Sequence, residues 1–332
     1  MRAGAGYAAV RPPRAADAST VQDLSGRTMG TLWSLRLDNP RMLALEAVRE
    51  CVERCFDRVI AQMSTWESGS DICRYNRAPA GSTHELAPEF FQVLDCAWHW
   101  ASASEGAFDL TVGPLIGLWG FGAQARPAAL PTAQALESAR RQVGWQRLSF
   151  DRDAATIHQP GGIALDLSGI AKGFAVDHAC AALQAMGLSD FLLEVGGELR
   201  ASGRRPDGSA WRVQVETAEG LGTAVALHGD MSIATSGDRW HRHGHDGQHW
   251  SHTIDPLSGL PVQHGLAGVS VLHRECMQAD ALATLLTVLG PEEGMAFARK
   301  HEVAALFVTR LADGALRQQA TARWVDVATA RA

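Results

Sequence analysis

Apolar and polar residues alternate along Thr31-Leu-Trp-Ser-Leu-Arg-Leu37, the period of two that predicts a strand. From Met42 to Met63 the period lengthens. Leu45, Val48, Val52, Cys55, Phe56, Val59 and Ile60 recur in a helical pattern, so a helix is expected there with this stripe inward. A polar loop, Ser64 to Asp71, follows it. Further helices are predicted over Pro88–Ser104, with proline near the start, and over Pro131–Val143, with Thr132 as its N-cap. Between them Gly113–Gly122 reads as a glycine- and aromatic-rich loop.

The second half reads mainly as strands. Gly162–Asp166 is expected to be a short apolar strand and Phe174–Leu183 a helix. Phe191–Val195 and Ala210–Glu216 alternate as strands, and Gly196-Gly197 breaks the first of them. Arg239–Ile254 has the pattern of a hairpin with Asp246-Gly247 at its turn. Met277–Leu289 predicts a helix and Val303–Thr309 a strand. Strands and helices mix without regular β-α-β alternation. The expected class is therefore α+β, with mixed or antiparallel sheets and packed helices. Neither an internal repeat nor a low-complexity linker divides the chain. Residues 29–332 are expected to form one domain, and residues 1–28, rich in Ala, Arg, Gly and Pro, a loosely attached tail.

Composition narrows the function classes. The 332 residues are 46% hydrophobic and 20% charged, enough apolar material for a large core. A net charge of −6 gives no electrostatic footprint for nucleic acid. The cysteines at 51, 55, 73, 96, 180 and 276 form no Cys-x-x-Cys pair and no disulfide framework. Buried or free thiols in a reducing compartment are expected. No apolar run is long enough to span a bilayer, and no signal-peptide h-region opens the chain, so the sequence as written reads as cytoplasmic.

Five segments could carry chemistry. Asp166-Leu-Ser-Gly-Ile-Ala-Lys172-Gly173 places an acid, a small-residue turn and a lysine at the start of a predicted helix. Backbone N–H groups at such a turn suit an anion, and Lys172 adds charge. Asp280 and Thr284 share one helix face, a carboxylate and a hydroxyl suited to hard Mg²⁺. The plainer alternative for this pair is a helix surface with Thr284 bonding back to its own backbone. Ala107-Phe108-Asp109-Leu-Thr111 reads equally as a ring-binding loop or as a corner capped by Asp109. Ala234-Thr-Ser236-Gly237-Asp238 and His252-Thr253-Ile-Asp255-Pro256 flank the hairpin. The histidines at 241, 243, 245 and 249 suggest solvent-facing positions rather than a zinc set, because no carboxylate or cysteine stands at motif spacing. No Gly-x-Ser-x-Gly elbow supports a serine hydrolase.

Taken in order, these segments resemble the ApbE-like FAD:protein FMN transferases. The matching stretches are Met29-Gly-Thr31, Ser64-Thr-Trp66 with Ser70–Asn76, Phe108–Leu115, Leu118–Gly122, Asp166–Gly173, Val195–Gly197, Ala234–Asp238, His252–Pro256 and the Asp280–Thr284 helix. The resemblance covers roughly residues 29 to 310 and implies a single α+β domain of T-fold-like character. It implies FAD contacts at Met29, Trp66, Ala107, Phe108, Asp109, Asp166, Lys172 and His252, with Ser236, Gly237, Asp238 and Thr253 also at the FAD site. It implies Mg²⁺ held by Asp280, Thr284 and the Gly169 carbonyl. The implied reaction moves FMN from FAD onto a Ser or Thr hydroxyl of an acceptor flavoprotein and releases AMP. Lys172 would offset diphosphate charge, and His252 and Asp109 are alternative bases. Trp66 stands where many members have Tyr, and Thr253 replaces a usual apolar residue. Many members also carry an export signal or lipid-anchored cysteine that this chain does not show. Two other functions are compatible with the same segments, a Mg²⁺-dependent FAD pyrophosphatase giving FMN and AMP, and a non-catalytic FAD-binding protein.

Overall fold

A computed structural model describes residues 20–123, 130–216, 222–237, 242–245 and 248–329. Its frame is an eight-stranded sheet in which every neighbouring pair is antiparallel. The strands run Val21–Thr28, Thr31–Asp38, Phe191–Val195, Glu198–Ser202, Met231–Gly237, Leu266–His273, Ala304–Arg310 and Leu316–Ala320, and their order across the sheet is their order in the chain. The sheet is thus a meander with long insertions. The first insertion, after Asp38, carries five helices, a three-stranded sheet and the helix Ala171–Ala185. The last, between His273 and Ala304, is the long helix Cys276–Lys300.

Alternation along the strands divides the core in two. Trp33, Leu35 and Leu37, then Phe191, Leu193 and Val195, then Val269, Val271, Ala305 and Phe307 face the helices. Their pleat neighbours Leu192, Leu199, Ala201, Ile233, Leu272, Ala304 and Leu306 face the opposite way. There they meet a two-stranded ribbon, Trp211–Glu216 paired with Gly222–Leu227, and Trp324 of the helix Ala322–Thr329. Cys276–Lys300 is buried around most of its circumference up to Gly290, as its run of Ala and Leu requires. At Gly290 (φ 80°) it breaks, and Pro291 opens its last segment.

The α+β expectation holds, and so do most of the predicted elements. Three expectations are corrected. Val21–Thr28 is a strand rather than loose tail, joined to its neighbour through a two-residue turn in which Met29 (φ 48°) and Gly30 (φ 73°) are both left-handed. Its polar face had masked the alternation. Gly162–Asp166 makes no ladder, and its polar groups are met singly, as when the Asp166 N–H donates to the Leu110 carbonyl. Gly113–Leu118, expected as loop, is a short helix with Pro114 in its first turn. The predicted hairpin is present as Arg242–His245 paired with Gln248–Ser251, while Asp246-Gly247 lies outside the described residues. The six cysteines are free thiols, five of them buried. No helix among the described residues is long and apolar enough to cross a membrane.

Phe191 lies at the centre of the helix-facing core and is fully buried. Phe191→Ala is expected to cost about 3–5 kcal/mol in urea unfolding, with the denaturant slope unchanged.

Candidate active site

The helix Ala171–Ala185 begins without a cap of its own. Ile170 stands at its N-cap and offers no side-chain acceptor. The acceptor comes from another helix, where Asp280 Oδ2 takes the Gly173 N–H at 2.9 Å. The exchange runs both ways. The long helix also lacks a side-chain cap at Glu275, and Asp177 supplies it from Ala171–Ala185. Asp177 Oδ1 accepts from the Cys276 N–H at 3.0 Å and Oδ2 from the Met277 N–H at 2.9 Å. Each helix therefore places a carboxylate at the positive end of the other. The contact needs Gly173, because a Cβ there would lie 2.4 Å from the Cys276 carbonyl oxygen and 2.7 Å from Asp280 Cβ.

The strand Glu198–Ser202 runs beneath this junction and contributes a charge to each helix. Glu198 Oε2 lies 2.5 Å from Lys172 Nζ, and Arg200 Nη1 lies 2.5 Å from Asp177 Oδ1. Residues two apart on a strand share a face, so one strand serves both pairs. Burial would depress the Lys172 pKa, but the Glu198 and Asp280 carboxylates outweigh it and hold the ammonium above its usual value. Burial likewise raises the pKa values of Glu198 and Asp280, and Lys172 opposes both rises. Lys172 is thus charged and close to two buried carboxylates.

A cavity of about 850 Å³ opens beside this cluster, at the upper end of the range for small-molecule sites. Asp166, Ser168, Gly169, Lys172, Glu198, Asp280 and Thr284 form its polar wall. Asp166 holds the turn beneath it by accepting the Ser168 N–H at 2.9 Å. Gly169 packs directly on Thr284, since a Cβ there would be 3.0 Å from Thr284 Cγ2 and 3.1 Å from Oγ1. The back-bond expected of Thr284 belongs instead to Thr287, whose Oγ1 donates to the Ala283 carbonyl. The Asp280 carboxylate, Thr284 hydroxyl and Gly169 carbonyl together are an oxygen-only donor set that suits a hard divalent cation. Among the described residues no group of three or more His, Cys, Asp or Glu could hold a metal.

The remaining predicted residues divide. Ala107, Phe108, Asp109, Ser236, Gly237, His252 and Thr253 all line the cavity. Asp109 is buried, and its oxygens are taken up structurally. Oδ1 accepts from the Thr111 N–H at 2.7 Å and its hydroxyl at 2.6 Å, and Oδ2 accepts from the Trp145 N–H at 3.1 Å. Burial pushes its pKa up despite these bonds. Of its two readings the capped corner is therefore present, in a residue that also faces the cavity. Met29 and Trp66 are not among the lining residues, and Trp66 is 70% exposed. Met29 packs, partly buried, against the helix-facing core. Asp238 lies outside the described residues. Glu198, Asp177 and Arg200 were not singled out from sequence, for their roles depend on strand–helix contacts that no local motif encodes.

Known proteins share this fold. The apo flavinyl transferase ApbE of Pseudomonas stutzeri has a similar structure, with TM-score 0.86 and 37% identity over 94% of this chain and 98% of that one. Flavin transferase ApbE of Vibrio cholerae is similar with TM-score 0.85 and 33% identity, over 92% of this chain and 99% of its own. In sequence, the FAD:protein FMN transferase of Haemophilus influenzae is 35% identical over 312 residues, 91% of this chain and 90% of its own. The class these relatives share with the chain is that of a transferase enzyme. The ApbE family profile matches residues 29–307, and the chain belongs to that family.

Gly173→Ala is expected to destabilise the protein by about 1–3 kcal/mol, because the two helices must separate to admit a methyl group. Thermal unfolding compared with Gly69→Ala, where a Cβ meets nothing within 4 Å and the backbone is not left-handed, isolates the steric effect.

Proposed function

We propose that the protein is a Mg²⁺-dependent FAD:protein FMN transferase, which moves FMN from FAD onto a Ser or Thr hydroxyl of an acceptor flavoprotein and releases AMP. The observation that carries this reading is the convergence of Asp280, Thr284, Gly169 and Lys172 on one wall of a cavity of dinucleotide size. The names of the similar proteins supply the reaction class. Phe108, Val112, Ile116 and Ile254 offer apolar surface for a ring. Bound at Asp280, Thr284 and the Gly169 carbonyl, Mg²⁺ would neutralise charge on the diphosphate.

In this reading the acceptor oxygen attacks the phosphorus of the FMN half. The bond from that phosphorus to the bridging oxygen breaks, and AMP leaves with the electron pair. Lys172, paired with Glu198, would offset the negative charge that grows on the departing phosphate. The acceptor proton passes to a base. His252 is the better candidate, because Asp109 already accepts three hydrogen bonds from Thr111 and Trp145.

Product analysis tests the reaction. The protein is incubated with FAD and Mg²⁺, with and without an acceptor domain carrying a target threonine. Covalent flavin fluorescence on the acceptor together with AMP is expected, and EDTA or Asp280→Ala should abolish most of both. Free FMN and AMP without labelled acceptor would identify a pyrophosphatase, and intact FAD a binding protein. The base is tested separately. His252→Ala should lower kcat by about 10²–10⁴ while the protein stays folded. Asp109→Ala should instead lower the melting temperature by several degrees, because three donors lose their acceptor.

A further inference from the structure

The cavity does not end at the residues expected to hold FAD. It passes around the end of the sheet, where Gly196, Gly197, Gly237 and Gly268 leave no side chains in the way, and continues on the opposite face. There its floor is Leu192, Leu199, Ile233 and Val308 with the Glu194 carboxylate and the Thr235 and Ser270 hydroxyls, and its wall is the ribbon strand Trp211–Glu216. No FAD contact implied by the family resemblance falls in this arm.

The wall has an unusual composition. Arg212, Val213, Gln214 and Val215 all line the cavity, four consecutive residues of one strand. Successive side chains in a strand point to opposite faces. Here Val213 and Val215 turn into the core while Arg212 and Gln214 are exposed. A cavity can touch all four only along the strand's edge, where the main chain is presented. The other edge is paired residue for residue with Gly222–Leu227, which does not line the cavity. Among the described residues no strand pairs with the cavity-facing edge. Alternate N–H and C=O groups of that edge therefore face into a groove whose floor is largely apolar, with Glu194 as its one carboxylate, an arrangement that accepts an added strand.

We infer that this arm is the docking groove for the acceptor protein, whose hydroxyl-bearing segment lies extended and adds as a strand to the cavity-facing edge of Trp211–Glu216. The inference rests on the transferase reading and names where its second substrate enters. That reaction requires a main chain to bring a hydroxyl to about 3–3.5 Å from phosphorus. The groove is continuous with the wall that holds Lys172 and Asp280, so a segment lying in it can reach the diphosphate. Main-chain pairing also sets the side-chain pattern. Every second residue of the segment would face the apolar floor, and those between would face Arg212 and Gln214 or solvent.

The test uses the full-length protein with FAD, Mg²⁺ and synthetic peptides of about twelve residues spanning the threonine labelled in the acceptor domain. A series carries single backbone N-methyl groups, each removing one N–H donor. Methylation at alternate positions is expected to raise KM for the peptide about tenfold or more, with little effect at the positions between. Leu192→Arg, which puts a charge on the groove floor, should raise KM for the intact acceptor domain at saturating FAD by a similar factor. A flat N-methyl profile, or an unchanged acceptor KM in Leu192→Arg, would overturn the docking mode while FMN transfer itself continued. Absence of transfer to the unmodified acceptor domain would overturn the transferase reading, and this inference with it.

Discussion

Two helices that cannot cap themselves cap each other, and the active-site wall depends on that exchange. Asp280 takes the Gly173 N–H, and Asp177 takes the Cys276 and Met277 N–H groups. Asp280 is buried and Asp177 partly so, which is unfavourable for a charge, and each meets both a helix N-terminus and a nearby cation. Removing either acid would leave helix N–H donors without an acceptor, and removing Asp177 would also leave Arg200 without its ion-pair partner. The geometry sets the distance between Lys172 on one helix and Asp280 on the other with little freedom. Gly173 is the steric condition for all of it, because no other residue lets the backbones come so close.

The sheet performs a different task. In an antiparallel meander every second connection returns to the same end. The turn at Met29-Gly30, the turn at Gly196-Gly197, the end of the strand at Gly237 and the start of the next near Gly268 all lie there. Segments far apart in sequence are brought together in this way by the pairing of the strands. Side chains on the helix-facing pleats build the core that carries Asp280 and Lys172, while the alternate pleats build the floor of the opposite arm.

This explains which features could be read from the chain alone. The pairing of Asp280 with Thr284 follows from a four-residue step on one helix, and Asp166 with Lys172 from a short turn, so both were legible. The ion pair of Lys172 with Glu198 spans two elements and was not. Nor was the role of Asp177, which stands in mid-helix and resembles a surface residue until its partners at Cys276 and Met277 are known. Asp109 was legible as either a cap or a ring-binding residue, and only the Trp145 N–H, thirty-six residues away, shows how fully its oxygens are occupied. Val21–Thr28 escaped notice because an edge strand with polar residues has little hydrophobic signal to give. Trp66 was assigned by likeness to the family, and no local pattern encodes its exposure.

Strand order equal to chain order has a consequence for how such a protein can change. Each insertion leaves from one strand and returns to that strand's immediate neighbour, so its two ends are fixed close together by the ladder. Lengthening a connection anchored in this way costs little, since the closure entropy rises only with the logarithm of its length. The stretch between Asp38 and Phe191 and the one between Gly237 and Leu266 can therefore gain or lose residues without disturbing the register of the frame. The scaffold and the parts that meet substrates are in this sense separable, and the shape of the cleft can diversify while the sheet stays as it is.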